Sequence, residues 1–257
     1  MKIKDKHGEL TTKHIVMIIV LIVSFIIILF LLFRLNLGET TNKEVCHNSV
    51  LLKHQTKVFS GPLDCRTNYL CISGGEDCEG IPTTSTIEVD PNKEETKNET
   101  MKALADEMSD CWWMFGEGKI DYVGERFSGN TACALCSLID FDETIKGSVS
   151  YLEFFNYLKT TSKSSSQTYL QYLYGVSSFD EENSYYQNEL DFSKQYVLVT
   201  GMIKEGLLNR LAAWPFNQIK SLFTDEGEKK EAGVFTVILE ERGNIGNLNC
   251  DEFITKA

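Results

Sequence analysis

Apolar and polar positions divide the chain into two unequal parts. From Ile15 to Phe33 nineteen consecutive residues, IVMIIVLIVSFIIILFLLF, carry no charge, and only Ser24 interrupts them. The run has no polar face, which a helix at the edge of a globular core would need. At about 1.5 Å rise per residue it extends roughly 28 Å, close to the hydrocarbon thickness of a bilayer. It predicts a transmembrane helix over residues 14–34, after a short basic leader, 1–13.

Beyond the span the pattern becomes mixed. In CRTNYLCIS, Tyr69, Leu70 and Ile72 suggest a strand between two cysteines. Residues 74–100 are rich in Gly, Thr, Glu, Lys, Asn and Pro, with too few apolar positions to fold alone, and within them 79–98 predict a mobile loop. From Glu99, helical spacing places Met101, Leu104, Ala105, Met108, Trp112 and Phe115 on one face, with Cys111 at its edge and Gly116 and Gly118 as the stop. Trp113 then lies about 100° from Trp112, so the two rings cannot enter the same core. Trp113 and Met114 are either packed under a second layer or left as an anchor for a partner.

CALCSLIDFD reads as a strand and the stretch from Ser148 as a helix with Tyr151, Leu152, Phe155 and Leu158 inward. Tyr169–Tyr174 predicts a short helix, QYVLVTGMI and VFTVILEE predict strands, and KEGLLNRLAAW predicts a helix ended by Pro215. Helices and strands alternate without an internal repeat. The fold class expected is α+β: one N-terminal transmembrane helix, then a single disulfide-bearing extracytoplasmic domain, 35–257, with a mixed sheet and several helices.

Charge orients the span. Lys2, Lys4, Lys6 and Lys13 precede it, whereas Arg34 and Lys43 follow it, so the N-terminus is expected in the cytoplasm and the domain outside. All eight cysteines lie beyond the span, as an oxidising compartment predicts. Loop length and position predict that Cys111 pairs with Cys133 or Cys136. Cys46, Cys65, Cys71 and Cys250 then pair among themselves, with Cys78 left over. Asn98-Glu99-Thr100 is a glycosylation acceptor. The net charge is −12, and four lysines against two carboxylates before residue 34 leave the outer part at about −14. Without a basic stripe, nucleic acid is not an expected partner. The expected partners are the lipid bilayer, through residues 14–34, and another protein or a second copy.

Chemistry-bearing motifs are sparse. Cys133-Ala134-Leu135-Cys136 has thiol-oxidoreductase spacing, but that chemistry needs its first cysteine at a helix N-terminus, and this pair runs into a β-type segment. GEGK fails as a phosphate loop because Trp113 stands where the first glycine belongs and Ile120 follows Lys119. Neither a Gly-x-Ser-x-Gly elbow nor a His-Glu-x-x-His helix is present. The acidic turns Asp140–Glu143 and Asp225–Glu228 lack an EF-hand framework and predict solvated turns. No cofactor or metal site is expected, and His47 is expected at the surface.

The leader MKIKDKHGEL, with Gly8-Glu9 before a long apolar helix, resembles a class III, prepilin-type signal, which implies cleavage after Gly8 and retention of the helix. It departs from that pattern in placing Glu9 directly after the cut. Taken with CRTNYLCI, ADEMSDCWWMFGEGK, CALCSLIDFD and YLEFFNYL, the chain resembles a group of uncharacterised membrane-anchored proteins of small-genome archaea. The resemblance implies a cell-surface setting and brings no activity or catalytic residue with it. The function expected is a single-pass surface protein acting as a non-enzymatic binding or assembly module. The alternatives are an extracytoplasmic thiol-disulfide oxidoreductase using Cys133 and Cys136, and a pilin-like subunit processed after Gly8.

Overall fold

A computed structural model describes residues 12–34, 37–55, 63–91, 93–123, 129, 131–179, 181, 188–204, 232–248 and 250–255. The chain forms two compact units, Met1–Thr41 and Asn42–Ala257. The first contains α1, Thr12–Arg34. Its side chains are described from residue 15 to 28, and the large apolar ones there are 45–64 % exposed. The Ser24 hydroxyl donates to the Leu21 carbonyl at 2.9 Å. Among the described residues no helix is long and apolar enough to cross a membrane. The leader residues Gly8 and Glu9 lie outside the described residues.

The second unit is an α+β domain built on a mixed sheet. Its main strands are β1, Asn68–Ser73; β2, Ser85–Glu88; and β3, Thr131–Phe141. They are followed by β8, Tyr196–Lys204; β9, Ala232–Glu241; and β10, Glu252–Phe253. The order is β2-β1-β3-β8-β9. Pairing is parallel from β2 through β1 to β3 and antiparallel from β3 through β8 to β9. β3 shares one edge between two neighbours, because β10 pairs in parallel with Ala132 and Cys133 while β1 takes Ser137 to Phe141. Between β1 and β3 the chain crosses over through α3, Lys93–Met114, which packs on β3, β8 and β9. Two short antiparallel pairs complete the domain: β4, Ser148–Ser150, with β7, Glu189–Asp191; and β5, Ser162–Ser164, with β6, Gln167–Thr168.

Helix α4, Tyr151–Thr160, starts where Ser150 Oγ accepts the Glu153 amide. The sequence places its start at Ser148, but residues 148–150 form β4 and that cap fixes the boundary. Its buried residues are Tyr151, Phe154, Phe155 and Leu158, so Phe154 takes the inward place expected of Leu152. Helix α5, Tyr169–Tyr174, opens with a Thr168/Gln171 capping box and closes at Gly175 with φ 74°. The expected helix 204–214 lies almost wholly outside the described residues.

Residues 79–98 depart from the expected mobile loop. β2 lies within them, and α3 begins at Lys93 rather than Glu99. Parallel backbone pairing of Leu70–Ser73 with Ser85–Glu88 supplies order without a large apolar contribution. The Thr96 hydroxyl donates to the Asp90 carbonyl, and the Asp90 amide donates to Glu99 Oε2 at 2.6 Å, which anchors the helix start. The turn at Asp142 is likewise buried rather than solvated. Its Oδ2 accepts from Ser73 Oγ and the Gly74 and Glu76 amides, each at 2.9 Å. Its Oδ1 accepts from Thr144 and from the Ile145 amide. Burial pushes the Asp142 carboxyl up, but these donors outweigh it and hold the group below the usual carboxylate range.

Candidate functional site

All eight cysteines are paired: Cys46–Cys65, Cys71–Cys78, Cys111–Cys136 and Cys133–Cys250. Cys111 takes the second of its two expected partners. Cys78, left over in the sequence reading, is joined to Cys71, and Cys250 is joined to Cys133. Strand geometry explains why Cys133 and Cys136 do not bond each other. Three residues apart on β3, they point to opposite faces: Cys133 belongs to the apolar cluster with Leu138 and Val199, Cys136 to that with Leu104 and Cys111.

The register of β3 against β8 shifts between Leu135 and Ser137. This bulge turns two consecutive side chains, Cys136 and Ser137, toward α3. Cys136 bonds Cys111 there, and Ser137 Oγ donates to Glu107 Oε1 at 2.5 Å. Cys133 and Cys136 are thus divided between two crosslinks, Cys133–Cys250 and Cys111–Cys136. Of the sulfurs concerned, Cys250 is half-buried and lines a depression of about 360 Å³ with Ile245, Gly246, Asp251 and Phe253.

The aromatic stretch DCWWMFGEGK forms the end of α3 and a turn. Trp112 is 7 % exposed and belongs to one cluster with Met108 and Phe115. Gly116, with φ 78°, closes the helix: its amide donates to the Trp113 carbonyl and the Glu117 amide to that of Trp112, both at 3.0 Å. Gly118 has φ 70°, and a Cβ there would stand 2.9 Å from the Trp112 ring. Between them Glu117 holds φ 56°, uncommon for a residue with a side chain. Its carboxylate accepts from Lys119 Nζ at 2.5 Å and from Tyr172 Oη at 2.9 Å. The Lys119 hydrogen bond is the main reason that Glu117 lies below the ordinary carboxyl range.

Trp113 meets a helix that the apolar pattern of the chain does not signal. This is α2, Leu37–Gln55, and its described side chains grip α3. His47 stacks on Trp113 with centroids 4.0 Å apart and planes 14° from parallel. His47 Nδ1 lies 2.8 Å from the Trp113 carbonyl, and because a carbonyl only accepts, Nδ1 carries the proton. One turn earlier, Lys43 Nζ donates to Glu107 Oε2 at 2.9 Å and Asp110 Oδ2 at 2.6 Å. Glu107 is 4 % exposed and also accepts from Asn68 Nδ2 at 3.0 Å. Burial would raise its pKa, but Lys43 and the donors from Ser137 and Asn68 bring it below the ordinary value. Burial lowers Lys43, and the two carboxylates outweigh that and raise it.

The residues singled out from the sequence are therefore dispersed. Trp113 is half-buried under His47, and Met114, 4 % exposed and in the core, offers no surface to a partner. Asn98 is exposed on α3. His47, expected at the surface, is instead half-buried against Trp113, and Lys43, read only as a charge behind the span, is paired with Glu107 and Asp110; Glu107 and Tyr172 carried no signal in the sequence, and the four-residue spacing of Lys43 and His47 is the one pattern that pointed to this face. Among the described residues no group of three or more His, Cys, Asp or Glu side chains is placed to hold a metal ion. No known protein family, curated protein or solved structure matches the chain.

Proposed function

We propose that the chain is a single-pass membrane protein whose disulfide-bonded domain faces outward as a non-enzymatic binding or assembly module. The observation that carries this reading is the contrast along the chain: α1 exposes apolar side chains, and every cysteine after it is oxidised. In hydrocarbon each polar group needs an internal partner, and Ser24, the one polar residue of the run, has its hydroxyl bonded to the Leu21 carbonyl. The basic leader supports a cytoplasmic N-terminus. Labelling of intact cells with a membrane-impermeant amine reagent tests the topology. Modification of outer lysines such as Lys102 and Lys194 is expected, and modification of Lys2 to Lys13 in their place overturns it.

A pilin-like subunit processed after Gly8 is the second reading, and the leader MKIKDKHGEL before a long apolar run is what supports it. Mass spectrometry of the mature N-terminus separates the two readings. Glu9 as first residue supports processing and assembly, and an intact leader supports a stationary anchor.

A further inference from the structure

Among the described residues two buried side-chain oxygens have no hydrogen-bond partner, and one is Thr100 Oγ1. Thr100 lies in α3 and is fully buried. A hydroxyl in such a place weakens the fold relative to a valine of the same shape, so its presence calls for an explanation. Helix formation gives none, since threonine ranks well below alanine in a helix interior. The folded domain therefore has no use for the oxygen at position 100. Two residues earlier Asn98 is exposed, and Asn98-Glu99-Thr100 is the chain's single Asn-x-Ser/Thr tripeptide.

We propose that Asn98 is an N-glycosylation site that is modified before α3 folds. The inference rests on the outward placement of the domain. In the reaction Asn98 Nδ2 bonds to the anomeric carbon of an oligosaccharide carried on a polyisoprenyl phosphate. The bond from that carbon to the phosphate oxygen breaks, the lipid phosphate leaves with the electron pair, and the carboxamide gives up one proton. The transferase reads the threonine hydroxyl of its acceptor, and in the folded domain that hydroxyl is enclosed. Modification is confined to the unfolded chain, whereas the exposed Asn98 lets the finished domain carry the glycan. Thr100 thus acts during synthesis, and its burial afterwards is what leaves the hydroxyl without a partner.

The test uses the full chain isolated from membranes of cells that possess an N-oligosaccharyltransferase. The peptide containing Asn98 is expected to carry one glycan, and Asn98→Gln and Thr100→Val are each expected to remove it. Thr100→Ser is expected to keep it. Thr100→Val should fold with an unchanged or higher Tm, which separates loss of recognition from loss of structure. Incubated with transferase and lipid-linked donor, the folded Thr100 protein should remain unmodified and the reduced, unfolded chain should be modified. An unmodified Asn98 in a domain that impermeant reagents reach overturns the glycan inference alone. A domain that those reagents do not reach overturns the membrane topology instead. Equal modification of folded and unfolded chains overturns the order of events.

Discussion

The two faces of the central sheet are held in different ways. On one face α3, α4 and α5 bury a large apolar cluster that includes Leu104, Met108, Phe115, Phe154 and Leu198. The other carries a much smaller cluster around Cys71, Cys133, Leu138, Val197 and Val199, covered by loop 74–84 and a 3-10 turn, Arg242–Leu248. Two disulfides serve each face, but with unequal help from packing. On the thin face Cys71–Cys78 and Cys133–Cys250 stand where helices would otherwise supply apolar area. Polar links join them, such as Gln195 Nε2 donating to Asp140 Oδ2 at 3.0 Å. A domain can thus cover one face of a sheet with little chain when covalent bonds replace part of the core.

The comparison is broken most directly at Cys133–Cys250, which spans 117 residues. Replacing both by Ala should cost about 5 kcal/mol in the chain-entropy model. Removing Cys111–Cys136, separated by 25 residues, should cost about 3.5 kcal/mol. Urea denaturation of the two double variants checks the order, and the reverse order would mean that the thin face does not depend on its staples.

Next comes Trp112→Ala, expected to cost about 4 kcal/mol as a buried large aromatic on the helical face. Trp113→Ala, which loses a half-buried stack, should cost about 1 to 2 kcal/mol. Thermal melts of both variants decide between packing and display. A Trp113 variant of unchanged Tm that no longer captures a partner would make the indole an interface residue.

Acid sharpens the comparison further, because each face has a carboxylate held below its ordinary range. Glu107 and Asp142 contribute stability above their unfolded values, about 4.3 and 3.9, and lose it as pH falls through their lower folded ones. Lys43, raised, contributes below about 10.4 and loses its share as pH rises through the folded value. Stability should therefore decline on both sides of neutrality. Glu107→Gln should cost about 2 kcal/mol at pH 7 and flatten the acid limb, as urea midpoints measured from pH 3 to 7 would record. The smallest effect is expected of His47→Ala, about 1 kcal/mol by melting temperature.

Strands were the more legible part of the fold. CALCSLIDFD and QYVLVTGMI alternate or run apolar over lengths that only a buried strand explains, and they form β3 and β8. β2 was not legible because a parallel edge strand draws its order from backbone pairing, which leaves no apolar pattern in STIE. α2 was hidden for a related reason. It offers Val50 and Cys46 to the core, and several of its other attachments are contacts with α3 far away in sequence, through Lys43 and His47. The bulge after Leu135 could not be read either, since two inward residues in succession look like a lapse in alternation until the partner strand is known.

On the proposed reading of a chain anchored at its N-terminal end, the Cys46–Cys65 bond takes on a mechanical meaning. Tension entering along α2 reaches Cys46 and crosses directly to Cys65, so residues 47–64 are shunted out of the load path. It then enters β1, whose ladder with β3 is parallel and is loaded in shear, with several hydrogen bonds resisting together rather than opening one by one. Helix α2 is in this way short-circuited by a covalent bond, and on that reading the domain should bear a pull at its N-terminal end without first unwinding there.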